Sequence, residues 1–390
     1  MHSADVAIVG GGVIGWSVAF HLVEGGFDGR VLVIEPDPSF ESGSTGRSAG
    51  GLRQQFSLPE NIRMSRYGLD FVRQAPARLA VDGEAPDLAF KEQGYLFLAP
   101  ESGMAALTEN QAVQTAEGAD VALLDRDGLA EIFPWLALDD LAGGAFGRSG
   151  EGWLDPYALM QALKRKARSL GAELLQDRVT GIEIAGGRVE ALTTEAGRRV
   201  ACGRLVNAAG AAAGRVAALA GLDLPVAPKK RQVFVFDCRE DLAHLPLTVD
   251  PSGVYFRPEG AQFICGKSPD PQDDPDCWDD LVDYTLFEEV LWPTLAARVP
   301  AFEAIKMQSA WAGWYEVNTL DHNAVIGPHP QVETFLFANG FSGHGLQQAP
   351  AVGRAIAELI ETGGFRSLDL SRLGYARIAA GAPLFERGIV

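Results

Sequence analysis

The residues whose types and spacing promise chemistry begin with Gly10-Gly11-Gly12-Val13-Ile14-Gly15, a G-x-G-x-x-G run. In such a run Gly10 permits a tight turn, Gly12 lets the backbone approach a pyrophosphate, and Gly15 lets a helix pack close to a strand. Val13 and Ile14 fall in the first helical turn, where free N–H groups meet phosphate oxygens. Glu35, twenty residues after Gly15, can accept hydrogen bonds from an adenosine ribose, and Pro36 follows it. A carboxylate there repels a 2′-phosphate, which disfavours NADP. The elements that must position these groups are present: a buried strand over Asp5–Val9, a helix over Trp16–Val23 stopped by Gly25-Gly26, and a second strand over Val31–Ile34. The unit predicts a bound dinucleotide, NAD or FAD.

Three further stretches suit the same ligand. The loop from Ser42 to Gly51 offers Ser44, Thr45, Arg47, Ser48 and Ala49, whose backbone, hydroxyls and charge can lie along phosphates and a flavin edge. Arg204 to Gly210 reads as a strand ending in small residues, with Ala208 and Gly210 able to admit a ligand. Val179, on the strand Arg178–Ile184, is counted with them. Finally, the strand Phe335–Ala338 runs into the turn Asn339-Gly340-Phe341-Ser342-Gly343-His344-Gly345 and a helix from Leu346 to Ile360, with Pro350 expected in its first turn.

Composition bounds the partners. The chain has 390 residues and 33 basic against 51 acidic side chains, a net charge of −18 that argues against nucleic acid or an anionic membrane. Cys202, Cys238, Cys265 and Cys277 form no C-x-x-C pair or Cys/His cluster, so neither a metal site nor a disulfide framework is expected. No apolar run is long enough to span a membrane, and with a strand beginning at Asp5 a cytoplasmic location is the expectation.

Elsewhere, Pro59–Arg78 has helical spacing, Gly94–Leu98 is strand-like, Leu107–Glu117 suits a helix, and Asp155 opens an amphipathic helix ending near Leu170. Gln232–Phe236, Gly253–Arg257 and Gln262–Gly266 alternate as strands. The acidic loop Pro269–Asp280 reads as solvated, followed by a helix over Leu281–Val299. Trp311, Trp314 and Tyr315 crowd the next strand. The fold class is therefore α/β: a Rossmann-like dinucleotide domain from residues 1–85, 150–225 and 325–390, and a substrate domain with a mixed or antiparallel sheet from 86–149 and 226–324.

These motifs, in this order, resemble the D-amino-acid oxidase-like superfamily of FAD-dependent oxidoreductases across essentially the whole chain. Gly51–Asn61, Asp321–Asn323, Gly327–Pro330 and Phe341–Pro350 resemble the branch linked to mitochondrial complex I assembly, and sarcosine oxidases look like the nearest enzymes of known chemistry. The resemblance implies FAD, with its adenine end at Gly10–Glu35 and its isoalloxazine at Gly340, Gly343, His344, Gly345, Leu346 and Gln347. It implies oxidation of the C–N bond of a secondary or tertiary amine or N-substituted glycine to an imine, with O2 or another electron acceptor reoxidising the flavin. Lys267 matches the oxygen-activating lysine, Tyr315 and His344 match active-site positions, and Arg53 matches a flavin-proximal arginine. Two departures follow. Gly313 stands where a flavin-linking cysteine occurs, so non-covalent FAD is expected. Phe56 and Gln347 replace basic residues that hold a substrate carboxylate, so an anionic substrate needs another cation, Arg257 or Lys267. A D-amino acid is the second substrate class. An NAD-dependent dehydrogenase and an FAD-holding assembly protein are the rival functions, and homo-oligomerisation stays open.

Overall fold

The computed structural model describes residues 2–41 and 43–387, so Ser42 of the serine-rich loop lies outside them. The chain folds around two large sheets. In the first, the strands His2–Val9, Val31–Glu35 and Glu173–Gln176 run parallel on one side, and Arg199–Asn207 and Val332–Asn339 run parallel on the other. Val325–His329 closes one edge antiparallel, and a hairpin of Val179–Ala185 and Arg188–Thr194 packs on Arg199–Asn207. The central parallel strand Val31–Glu35 and the second halves of His2–Val9, Arg199–Asn207 and Val332–Asn339 are buried, largely apolar runs, as strands covered on both faces are. Their carboxyl ends, at Val9, Glu35, Gln176, Asn207 and Asn339, lie along one edge, where open α/β sheets bind ligands.

The second sheet has the order Lys306–Asn318, Val226–Asp237, Gln262–Gly266, Tyr255–Glu259, Leu247–Val249, Tyr95–Ala99, Gly143–Gly147, Val121–Asp125. It is antiparallel apart from the pairing of Leu247–Val249 with Tyr95–Ala99, hence mixed. The two sheets meet where Tyr315 and Glu316, late in Lys306–Asn318, approach the turn after Asn339.

Helix packing fixes that meeting point. Helix Val13–Glu24 is buried along almost its whole length and lies against helix Gly345–Thr362 so closely that a Cβ on Gly353 would stand 2.2 Å from Ser17 Oγ. Ser17 Oγ donates to the Ala349 carbonyl at 2.7 Å, joining the first glycine unit to the last. Helix Pro59–Arg78 touches the same C-terminal helix at Gly68, where a Cβ would fall 2.0 Å from the Gln347 carbonyl. Large residues at Gly68 or Gly353 would push the two halves of the site apart.

Two local expectations are corrected. Pro350 sits in the second turn of Gly345–Thr362, so the Leu346 carbonyl lacks its i+4 N–H partner. Leu281–Val299 is helical only from Thr285, passing through a wider π turn over Phe287–Leu291 and then an α-helix over Trp292–Arg298. Asp279 Oδ1 takes the Leu281 N–H and Asp283 Oδ1 the Thr285 N–H, so aspartate side chains capture the donors that would start a helix earlier.

Candidate active site

A cavity of about 750 Å³ opens along the carboxyl edge of the parallel sheet. One end is walled by Gly10, Gly12, Glu35, Pro36, Asp177 and Val179, and the other by Tyr315, Glu316, Phe341, Gly343, Gly345 and Leu346. Its size suits a dinucleotide. The glycines are cut to this shape: Gly10 has φ +105° and a Cβ there would lie 2.3 Å from the Ala208 carbonyl oxygen, while a Cβ on Gly15 would lie 1.9 Å from the Gly10 carbonyl oxygen. Gly15 thus packs helix on turn, behind the cavity.

At the nucleotide end Glu35 is partly buried and accepts from the Gly11 N–H at 2.8 Å and the Asp37 N–H at 2.9 Å. Burial pushes its carboxyl pKa up, and those two N–H groups and distant Arg178 oppose the shift. Thr45 Oγ1 accepts from the Val13 N–H at 3.1 Å, pinning the serine-rich loop to the start of the first helix. Val13, Ile14, Ser44, Thr45, Ser48, Ala208 and Gly210 also line the cavity. Ser44 Oγ donates to the Trp314 carbonyl, which ties this loop to the second sheet.

Arg47 and Ala49 do not line the cavity. The Arg47 guanidinium donates to the Glu41 and Ala312 carbonyls at 2.9 and 2.7 Å, and pairs with Asp280 at 3.2 Å. The Ala49 carbonyl accepts from Arg257 Nε at 2.8 Å. Arg257 also donates to the Pro258 carbonyl and pairs with Glu259, so its charge is spent on the loop rather than offered to a substrate.

Beyond the far end the structure assembles Arg53, Phe56, Tyr95, Tyr315, His344 and Gln347 from four separate segments; of these Tyr315 lines the cavity, whereas Arg53, His344 and Gln347, like Gly340, stand behind its lining. Arg53 is 4% exposed, and its guanidinium lies over the rings of Phe56, Tyr95 and Phe97 at 5.0 to 5.5 Å. Its Nη2 is 2.9 Å from His344 Nε2, and its backbone N–H donates to Gln347 Oε1 at 2.6 Å. A guanidinium only donates, so His344 Nε2 is the acceptor and the ring proton is assigned to Nδ1. Burial, then the positive charge of Arg53, hold the His344 pKa well below its ordinary value, so the ring is neutral. Burial raises Tyr315, Tyr95 and Tyr255, keeping the phenols protonated. A Cβ on Gly343 would strike the Tyr315 ring at 2.5 Å, so the turn needs glycine there; Gly343 and Gly340 also have φ of +96° and +74°. Lys267 immediately follows the strand Gln262–Gly266, half-buried, outside the cavity lining and without an ion-pair partner among the described residues.

Behind Arg53 lies Glu151, fully buried, which accepts from the Gln54 N–H at 2.6 Å and Gln55 Nε2 at 2.7 Å. Burial outweighs these bonds and the charge of Arg53 and pushes its pKa up to about 7. Sequence reasoning passed over Glu151, Glu316, Arg215 and Trp278. Trp278 belongs to the acidic loop, which is largely exposed as expected but also pinned: Asp274 pairs with Arg231 at 2.8 Å, Asp276 with Lys229 at 2.9 Å, and Asp279 with Lys230 at 2.8 Å. The basic run Lys229-Lys230-Arg231 together with the aspartate-rich stretch Asp273–Asp280 was the available signal. The pinned loop sets Trp278 against Trp314 and under the Arg215 guanidinium, at 5.6 and 4.0 Å, as a cavity wall.

Comparison with known proteins agrees with this architecture. Residues 5–359 match the DAO family, described as FAD dependent oxidoreductase. The FAD-dependent oxidoreductase domain-containing protein 1 of Xenopus laevis is 43% identical over 99% of this chain and 85% of its own. Among solved structures, L-proline dehydrogenase from P. horikoshii superposes with a TM-score of 0.88 at 26% identity, covering 98% of this chain and all of its own. Glycine oxidase from Geobacillus kaustophilus superposes with a TM-score of 0.83 at 26% identity, covering 96% and 98%. The cavity, its glycine cradle and the match over nearly the whole length lead to one assignment: the chain belongs to the DAO family of FAD-dependent oxidoreductases.

Proposed function

We propose that the protein oxidises the C–N bond of a secondary or tertiary amine, with N-substituted glycines as the leading substrate class, and holds FAD without a covalent link. Bound FAD supplies the acceptor for the two electrons leaving the carbon next to nitrogen; the resulting imine is hydrolysed by water. The observation that carries this reading is the cluster directly behind the cavity's far wall, where Arg53 meets a neutral His344 next to Gly343 and Gly345, which with Tyr315 line that wall. Protonated phenols, a neutral imidazole and the cationic Arg53 offer no negative charge to an ammonium, which favours binding the amine after its proton has passed to solvent, the uncharged form that loss of hydride from its α-carbon requires. The fixed positive charge of Arg53, in a water-poor aromatic setting, stabilises negative charge that develops during transfer and favours a substrate carboxylate. The first N–H groups of helix Gly345–Thr362 add to that field. Non-covalent binding is supported by Gly313, which carries no nucleophile, and by the absence of all four cysteines from the cavity lining.

The similar proteins named for L-proline and glycine act on amines next to a carboxylate, which favours the same class here. We assign Lys267 the role of assisting reoxidation by O2, as a cation without a competing ion pair among the described residues. The test is an anaerobic titration of the purified yellow protein with sarcosine, iminodiacetate, N,N-dimethylglycine, L-proline and D-alanine. Bleaching by the N-substituted glycines supports the proposal, bleaching by D-alanine alone replaces it, and no bleaching by any of them removes it. Admitting O2 then tests Lys267: Lys267→Met should slow recovery of colour without slowing bleaching.

A further inference from the structure

Glu316 is a carboxyl group in the wall of the cofactor cavity, and the proposed reaction does not use it. It sits beside Tyr315 and opposite Pro228 on the neighbouring strand. Its carbonyl accepts from the Ser342 N–H at 3.1 Å and its Oε2 from the Gly340 N–H at 3.0 Å. Those two bonds fasten the Gly340–Gly345 turn to the second sheet. Oε1 has no hydrogen-bond partner among the described residues and is not sealed from the cavity.

An ionised carboxylate here would face a ligand that itself carries two phosphates. The cations on the elements packed around it are committed elsewhere: Lys229 to Asp276, Lys230 to Asp279, Arg231 to Asp274 and the Tyr315 ring, and Arg215 to the Trp278 ring. Tyr315 is the neighbouring titratable group, and burial keeps it protonated. Burial likewise pushes the Glu316 pKa up to about 8, with the Gly340 N–H opposing. Since Oε2 already accepts a hydrogen bond, the carboxyl proton belongs on Oε1, on the cavity side.

We propose that Glu316 binds the cofactor as a neutral acid, donating a hydrogen bond from Oε1 to an acceptor oxygen of the dinucleotide. The inference concerns how FAD is held and stands apart from the choice of amine. It predicts a proton linkage. If the holoprotein needs Glu316 protonated, FAD affinity is level below the apoprotein's titration and falls about tenfold per pH unit above it.

The experiment is FAD titration of the apoprotein, followed by quenching of flavin fluorescence from about pH 6 to pH 9.5. Wild type should show a constant Kd to about pH 8 and a rising one beyond. Glu316→Gln keeps a donor on the same stem and should bind within about threefold of wild type at pH 7, with the alkaline fall removed. Glu316→Leu keeps the bulk without a donor and should bind about tenfold more weakly at every pH. A level wild-type profile, an alkaline fall that survives in either variant, or a Gln variant as weak as the Leu variant at pH 7 would overturn the proposal. If the Gln variant does not fold, the Leu variant's profile decides alone.

Discussion

The two ends of the cavity are built in opposite ways. The nucleotide end comes mostly from one continuous stretch, Gly10 to Pro36, in which neighbouring strands and one helix bring the glycines and Glu35 together over short loops. The far end comes from Tyr315-Glu316 and the Gly340–Gln347 turn, backed by Arg53 and Glu151, which meet only when both sheets and three helices have packed. The first end is backbone geometry with few ionisable groups. The second concentrates buried charge, so its properties depend on packing and on pH.

The largest effect is expected where the nucleotide end has no slack. Gly15→Val would drive its Cβ into the Gly10 carbonyl oxygen, 1.9 Å away, and should cost about 3 kcal/mol or more of stability together with the bound flavin. Urea unfolding and the visible spectrum of the purified variant measure both. A yellow variant of wild-type stability would show that the helix can retreat from the turn.

Arg53→Gln breaks the comparison from the other side. The nucleotide end is untouched, so the protein should stay yellow, while anaerobic bleaching by its best substrate should slow about 100-fold, as for loss of a preorganised charge. Stopped-flow absorbance provides the rate. Equal loss of flavin and rate would mean that the two ends are not separable.

Glu151 gives the next effect, through pH. Its carboxyl is held above its unfolded value, so the native state keeps the proton longer than the unfolded chain does. Stability contributed by this group is therefore full below the unfolded pKa and declines as pH rises, levelling off above about 7. Over that window the decline amounts to about 3 kcal/mol. Glu151→Gln should flatten this slope in urea midpoints measured from about pH 5 to pH 8, and an unchanged slope would assign the titration to another group.

Legibility followed the same divide. The nucleotide end could be read because the positive φ of Gly10 and the packing of Gly15 on the Gly10 carbonyl are set within one strand–turn–helix unit, and the helix Pro59–Arg78 and the strand Gln262–Gly266 were likewise locally determined. The far end could be named only through family resemblance. Arg53 and His344 are 291 residues apart, and nothing near either announces the 2.9 Å contact. Glu151 and Glu316 look like ordinary surface acids in sequence, since burial is decided by which sheet covers them. The acidic loop is exposed as its aspartates predict, but its anchoring could not be read for a related reason: the Lys229–Arg231 strand that pairs with it is remote in sequence.

That loop offers the smallest effect and the finest test of the division. Asp280 pairs with Arg47 at 3.2 Å, but its side chain is 54% exposed, so water and salt screen the pair and it should contribute no more than about 0.5 kcal/mol. Arg47 keeps its bonds to the Glu41 and Ala312 carbonyls without it. Asp280→Asn should therefore change FAD affinity less than twofold and leave the melting temperature within about 1 °C. If Arg47 were instead a phosphate ligand restrained by Asp280, releasing it would tighten FAD binding, most visibly at low salt where the freed charge is least screened. A salt-dependent gain in affinity in the variant would thus place Arg47 at the nucleotide end, and a flat response would leave it as the strut between the serine-rich loop and the second sheet.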